Sequence, residues 1–189
     1  MTGRNTVVRS LHDVGLALWA GGALMGAVGL NGSASTAKDP RERLVLASEG
    51  WKRWAPVQVA ALVAHGVGGV GGVGGVGLIL GNQARLAGQP EGRINTIVKL
   101  ALTGVAAGTT LYSEILGKKM SDHAGEPTAG ITEAGPGVPE ELESAQRQQR
   151  VLQWVTPALT AILIVLAAQQ GEQQRPIAGW MARFAPHSR

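Results

Sequence analysis

The sequence predicts an all-α integral membrane protein: a four-helix bundle with a short interfacial helix between spans one and two. No charged residue occurs between Arg53 and Arg85, a stretch long enough to cross a hydrocarbon core of about 30 Å as a helix. Three further windows, 14–37, 100–113 and 151–171, are also free of charge. The mean hydropathy of +0.09 alone would suit a soluble four-helix bundle, but 28 glycines and polar connections lower that average.

Four spans with their connections fill the chain, so we expect a single transmembrane domain over residues 1–189. The predicted spans are about 11–31, 56–81, 94–116 and 151–171. Between the last two spans, the segment 120–138 is rich in Gly, Pro and Thr and is predicted to be a mobile loop.

The first span is predicted to begin at Ser10, which would cap the helix while Asp13 reaches back to the Ser10 N–H. A signal peptide is the alternative, because Arg4 and Arg9 precede an apolar run and small residues follow at 33–35.

Small residues recur on one stripe of this helix at spacings of three and four, which favours close packing against a neighbouring helix. The helix-packing residues predicted for the first span are Gly15, Trp19, Gly22 and Gly26.

The second span is preceded by a helix start signal, in which Asp39 caps and Pro40 occupies the first position. We expect an interfacial helix from Pro40 to Arg53 and a break at Pro56. The span itself contains a Val-Gly-Gly repeat at 66–77, which is either a crossing point in a tight bundle or tolerated low complexity.

The third span follows Pro90 and is predicted to close at Gly117, and the fourth follows Pro139 and is predicted to end at Gly171. In the third, Gly104 and Gly108 form another helix-packing pair. Glu114 and Lys118 have the i, i+4 spacing of an ion pair.

The composition excludes several classes of function. With no cysteine, disulfides, thiolate metal sites and thiol catalysis are ruled out. The net charge of +4 comes from basic residues spread over all connections, so anionic lipid is a more suitable partner than nucleic acid. No catalytic arrangement or phosphate-binding loop is identified, and we expect no enzymatic activity and no metal site.

Two sets of polar residues remain as candidate sites. Counting which residues return to the same membrane face predicts a polar cluster of His12, Asp13 and Lys99. His65 is predicted to lie about 15 residues from that face along span two, roughly 22 Å away. On this estimate His12 and His65 cannot share one metal or haem, although His65 alone could be a ligand or proton relay.

The segment from His12 to Gly22, with Trp19 seven residues after the histidine and a Gly pair at 21–22, resembles the opening helix of CopD-like bacterial membrane proteins. This resemblance implies a multi-helix membrane protein linked to metal handling, with His12 and Trp19 as matching positions. The chain lacks Met-rich and paired-His copper motifs, so copper transport is not implied by its own residues.

From these features we expect an accessory or structural subunit of a bacterial cytoplasmic membrane that self-associates or docks on a larger complex. Both termini are expected on the cytoplasmic side, because the acidic loop suits an external position. The alternative is a small transporter or a haem or copper redox carrier that uses His65 or the cluster of His12, Asp13 and Lys99.

Overall fold

Residues 6–70 and 90–173 are described by the computed structural model, and every regular element in these ranges is helical. The all-α prediction is therefore confirmed for this part of the chain. The elements are α1 (Thr6–Met25), a π-helical turn (Gly26–Leu30), α2 (Asn31–Ser35), α3 (Glu42–Val70), α4 (Pro90–Asp122) and α5 (Glu140–Gln173).

The long helices form two antiparallel pairs. α1 packs on α3 with His12 against His65 at one end and Gly26 against Trp51 at the other. α4 packs on α5, and α1 also lies against α5, which joins the two pairs. The ends of α1 and α3 that carry the histidines therefore lie far from the connections at 36–41 and 123–139.

Two apolar clusters fill the interior. The cluster nearer the histidines is built from buried residues of all four long helices: Leu16, Trp19, Ala61, Ala106 and Leu163. The other lies beneath the α4–α5 connection and contains Ala34, Leu44, Ala47, Leu116, Met120, Ile131, Leu142 and Ala145.

The start of α1 differs from the prediction. The chain is already helical at Thr6, so Ser10 is not the helix cap. Asp13 instead pairs with Arg9 one turn earlier, with the Arg9 Nε 3.6 Å from Asp13 Oδ2. The Asp13 carboxylate is therefore used in an i, i+4 ion pair on an exposed helix face and not in the predicted capping hydrogen bond.

The prediction of a separate interfacial helix is wrong, although its start signal is correct. Asp39 Oδ1 accepts a hydrogen bond from Arg41 N at 2.9 Å, but α3 then continues through Pro56 to Val70. The buried face of the first half is continuous with that of the second, because shielded positions recur at 44, 47, 51, 54, 58, 61 and 65. This unbroken 3-4 spacing packs both halves on one core, which offsets the hydrogen bond lost at Pro56.

The ends of the later helices also differ in detail. α4 passes through Gly117 to Asp122, and Lys118 Nζ lies 3.2 Å from Asp122 Oδ2, so the predicted pair with Glu114 does not form. α5 begins at Glu140, as predicted, and continues through the expected end to Gln173.

The loop expected to be mobile is held against the helices. Arg43 Nη1 donates to the carbonyl oxygens of Thr128 and Ala129 at 2.6 and 2.8 Å. Gln146 Nε2 donates to Ile131 O at 2.9 Å, and the Ile131 side chain is only 3% exposed. The segment is polar in composition, but its carbonyl groups are satisfied by side chains of α3 and α5.

Two stretches are long and apolar enough to cross a membrane, Arg9–Ser35 and Glu140–Gln169. Only 28% and 22% of the residues in their apolar windows are buried inside the bundle. The predicted second span extends beyond the described residues. Most of its Val-Gly-Gly repeat therefore lies outside them. Among those described, α4 does not reach the same apolar character, so four crossings remain a proposal.

Candidate functional site

The most distinctive polar feature is a histidine pair between α1 and α3, in which His65 is buried and His12 is half-buried. The ring centroids of His12 and His65 lie 4.2 Å apart, edge to face, and the His65 side chain is 6% exposed. The predicted separation of roughly 22 Å is therefore wrong. The prediction assumed that span two ran from Pro56 to about residue 81, so that its far end would lie at the level of His12. In the continuous α3, His65 itself lies at that level.

Gly15 permits this contact. A Cβ atom at position 15 would lie 2.4 Å from the backbone N of His65 and 2.6 Å from the backbone O of Ala61. Only a residue without a side chain allows α1 and α3 to approach so closely. The packing predicted for Gly15 is therefore a backbone-to-backbone contact at the histidine pair.

The two imidazole rings differ in their hydrogen bonds. His65 Nδ1 lies 3.3 Å from the carbonyl oxygen of His12. Because a carbonyl can only accept, Nδ1 of His65 carries the proton and its Nε2 keeps a lone pair. His12 Nδ1 is buried and has no hydrogen-bond partner in the described ranges.

Trp19 closes the pair on the side of the bundle core. Its ring centroid is 5.8 Å from that of His65, and its side chain is 1% exposed. The indole Nε1–H donates to Thr110 Oγ1 at 3.0 Å, and Thr110 in turn donates to Ala106 O at 2.9 Å. These two hydrogen bonds tie the histidine pair to α4 through Trp19, which was predicted as a helix-packing residue.

Asp13 and Lys99 lie at the outer end of the pair. Lys99 is within electrostatic range of both His12 and Asp13, while Asp13 has its closest ion-pair partner in Arg9. The three residues of the predicted polar cluster thus occupy one end of the bundle. A cation beside the imidazoles disfavours a second positive charge between them.

A second polar contact was missed by the sequence analysis. The Asn31 side chain, 5% exposed, accepts from Trp51 Nε1 at 3.0 Å and donates to Gln153 Oε1 at 3.2 Å, linking α2, α3 and α5. The π-helical turn at Gly26–Leu30 precedes Asn31 and changes its rotation about the helix axis. The sequence signal for this contact was Asn31 itself, a single Asn within the uncharged window 14–37.

Gly22 and Gly26 serve a different purpose from the predicted helix-to-helix approach. A Cβ at Gly22 would lie 2.2 Å from the indole of Trp54, and one at Gly26 would lie 2.1 Å from the indole of Trp51. Both glycines therefore make room for tryptophan rings. Gly104 and Gly108 lie on the exposed face of α4, where an added Cβ would meet nothing within 4 Å in the described structure.

Searches against protein-family models, curated proteins and solved structures find no significant match to this chain.

Proposed function

We propose that the chain is a small integral membrane protein whose long helices cross the bilayer, and that it is an accessory or structural subunit without catalytic activity. The observation that carries the proposal is the outward apolar surface of the bundle. Large apolar side chains point away from the interior on every long helix, among them Val14 (57% exposed), Val59 (60%), Leu111 (64%) and Val165 (56%). In water such a surface would be an aggregation hazard, whereas lipid tails solvate it.

The distribution of polar residues supports the same conclusion. Gln58, His65 and Thr160 are 7%, 6% and 0% exposed, so polar side chains lie in the interior while the apolar side chains of the same helices face outward. A soluble bundle would turn its apolar windows inward. The packing of Leu16 and Trp19, each 1% exposed, also favours α1 as a permanent helix of the bundle over a cleaved signal peptide.

The outer face of α4 supports self-association or docking on a larger membrane complex. Gly104 and Gly108 leave the backbone accessible there, and the exposed side chains of Leu111 and Ile115 continue the face. In lipid, small residues permit the close backbone approach that drives helix association. We propose a second copy of the chain as the first partner to test.

The absence of cysteine allows a clean crosslinking experiment in native membranes. Gly108→Cys is expected to form an oxidised dimer, because the two α4 faces would meet at this position. Val165→Cys, which is also outward but lies on α5, is the matched control and is expected to remain monomeric. Equal crosslinking at both positions, or none at Gly108→Cys, would contradict self-association through this face.

The membrane assignment is tested separately. The protein is expected to sediment with bacterial membranes, to resist alkaline extraction and to need detergent for release, as a multi-pass protein of the cytoplasmic membrane does. Recovery in the supernatant without detergent would contradict it. Labelling of single cysteines added near each terminus would decide whether the termini are cytoplasmic, as we propose from the loop composition.

The second candidate function is a small transporter or metal redox carrier, and the contact between half-buried His12 and buried His65 specifically favours it. Haem does not fit between the rings: each axial bond is roughly 2 Å, which would place the two ring centres about 6 Å apart, whereas they lie 4.2 Å apart. Copper fits only in part. The pair offers two imidazole nitrogens, and no group of three His, Cys, Asp or Glu ligands exists in the described ranges.

Copper titration with metal analysis tests this candidate. If the pair binds copper, His12→Ala and His65→Ala should each abolish stoichiometric binding, while His123→Ala, in the α4–α5 connection, should retain it. Stoichiometric copper that survives both substitutions, or no copper in the wild-type protein, would reject the carrier role.

A further inference from the structure

A small, half-open cavity with a mostly apolar wall lies between the four long helices, on the side of Trp19 away from the histidine pair. Its volume is about 50 Å³, and Trp19 and Trp51 form part of its wall. Since a buried water molecule needs about 10–15 Å³, the cavity has room for roughly three to five water-sized species. It is too small for an organic ligand.

Unpaired polar atoms are concentrated on this cavity. Gln58 Nε2, Ser113 Oγ and Gln149 Oε1 are all buried without a hydrogen-bond partner in the described structure, and all three residues line it. The Gln58 side chain is only 7% exposed. Trp54 Nε1 donates to its Oε1 at 3.0 Å, which directs the amide NH₂ away from that bond. Leaving three such groups without a partner destabilises the bundle, and a bound species would offset that cost.

Glu114 is the one charged residue of the cavity lining, and it lies at the rim. None of the ion pairs between described residues includes it, because Lys118 is paired with Asp122. A carboxylate at the edge of an apolar bundle is costly unless a cation compensates it. The pair between Glu114 and Lys118 that their spacing predicts does not form, which leaves the carboxylate available to the cavity.

We propose that this cavity binds a small monovalent cation, with Na⁺ as the probe. Hard cations are bound by carboxylate, amide carbonyl and hydroxyl oxygens, which Glu114, Gln149 and Ser113 supply. One carboxylate balances one positive charge, so a monovalent ion suits the site better than Ca²⁺ or Mg²⁺. The Gln58 NH₂ then donates to a water that completes the shell of the ion. The site is separate from the histidine pair and does not depend on the proposed accessory role.

Thermal unfolding of the full chain in mild detergent, followed by tryptophan fluorescence, tests the proposal. NaCl is titrated against choline chloride at constant ionic strength and pH. Ligand linkage predicts an upward shift in Tm that grows with the logarithm of the Na⁺ concentration above the dissociation constant and reaches about 3 to 6 °C at ten times that constant, with Na⁺ but not with choline. Equal Tm values in the two salts overturn the proposal, as does a response to pH alone, which would indicate a proton site.

Two substitutions locate the site. Glu114→Gln keeps the shape and removes the charge, and it is expected to abolish the Na⁺-dependent shift; Glu143→Gln, an exposed carboxylate on α5, is the matched control and should retain it. A full Na⁺ response in Glu114→Gln overturns the proposal. Should that variant fail to fold, Ser113→Ala removes one ligand oxygen and is expected to raise the Na⁺ dissociation constant, fitted from the dependence of Tm on Na⁺, at least threefold. An unchanged dissociation constant in Ser113→Ala overturns the assignment equally.

Discussion

Substitution of Gly15 by alanine tests the closest contact in the bundle. The added Cβ would lie 2.4 Å from the backbone N of His65, whereas ordinary contacts begin near 3.4 Å, so α1 and α3 must separate by about 1 Å. No side-chain movement relieves the clash, because the atoms on α3 belong to the backbone. Overpacking of this kind costs typically 1–3 kcal/mol.

Gly21→Ala is the matched control, because it lies on the same helix and an added Cβ there meets nothing within 4 Å in the described structure. Alanine at that position should gain up to about 1 kcal/mol of helix propensity. Because Gly15→Ala gains the same propensity, the two variants should differ by the overpacking cost alone, about 1–3 kcal/mol, or roughly 2 to 12 °C in Tm for a chain of this size.

The assay is thermal unfolding in mild detergent, followed by circular dichroism at one protein concentration. Gly22→Ala provides an internal comparison, because its clash is with the Trp54 indole and should be partly relieved by Trp54→Phe. Equal Tm values for Gly15→Ala and Gly21→Ala would refute the backbone contact, and with it the geometry of the histidine pair.

Three further predictions concern hydrogen bonds. Thr110→Val should lower stability by about 1–3 kcal/mol, measured by thermal unfolding, because the Trp19 indole N–H loses its acceptor in the core; no change would mean that this bond is unimportant. Asn31→Ala should cost about 2–4 kcal/mol in the same assay, since two partners on different helices are left unpaired, and a loss below about 0.5 kcal/mol would contradict the link. Arg43→Ala should raise hydrogen exchange and proteolysis within 123–139, with α1 unaffected as the control; unchanged protection would mean that the guanidinium does not hold the loop.

The helical class and several boundaries could be predicted because they depend on local chemistry. The start of α5 after Pro139 and the capping role of Asp39 were both readable from a few adjacent residues. The continuity of α3 could not be inferred in the same way. Pro56 is a local break signal, and only the tertiary packing of the face on either side of it overrides that signal.

The candidate site was predicted in its parts but not in its arrangement. His12 and His65 were both identified from the sequence, yet their distance was wrong because an error at Pro56 shifted the register of the whole helix. Glu114 was assigned to a local pair with Lys118, since spacing alone cannot show that Asp122 is the preferred partner. The cavity lining comes from all four long helices, and no local pattern joins them.

By itself, the sequence determined that this chain is helical, that its helices carry long uncharged windows, and that glycine would control how closely the helices approach. These properties follow from composition and from spacing within single helices. Only the tertiary structure decided which glycine meets backbone and which meets an indole, that two histidines touch, and that unpaired polar atoms converge on one cavity. The physical reason is that such contacts depend on the relative axial position of different helices, which spacing within one helix does not specify.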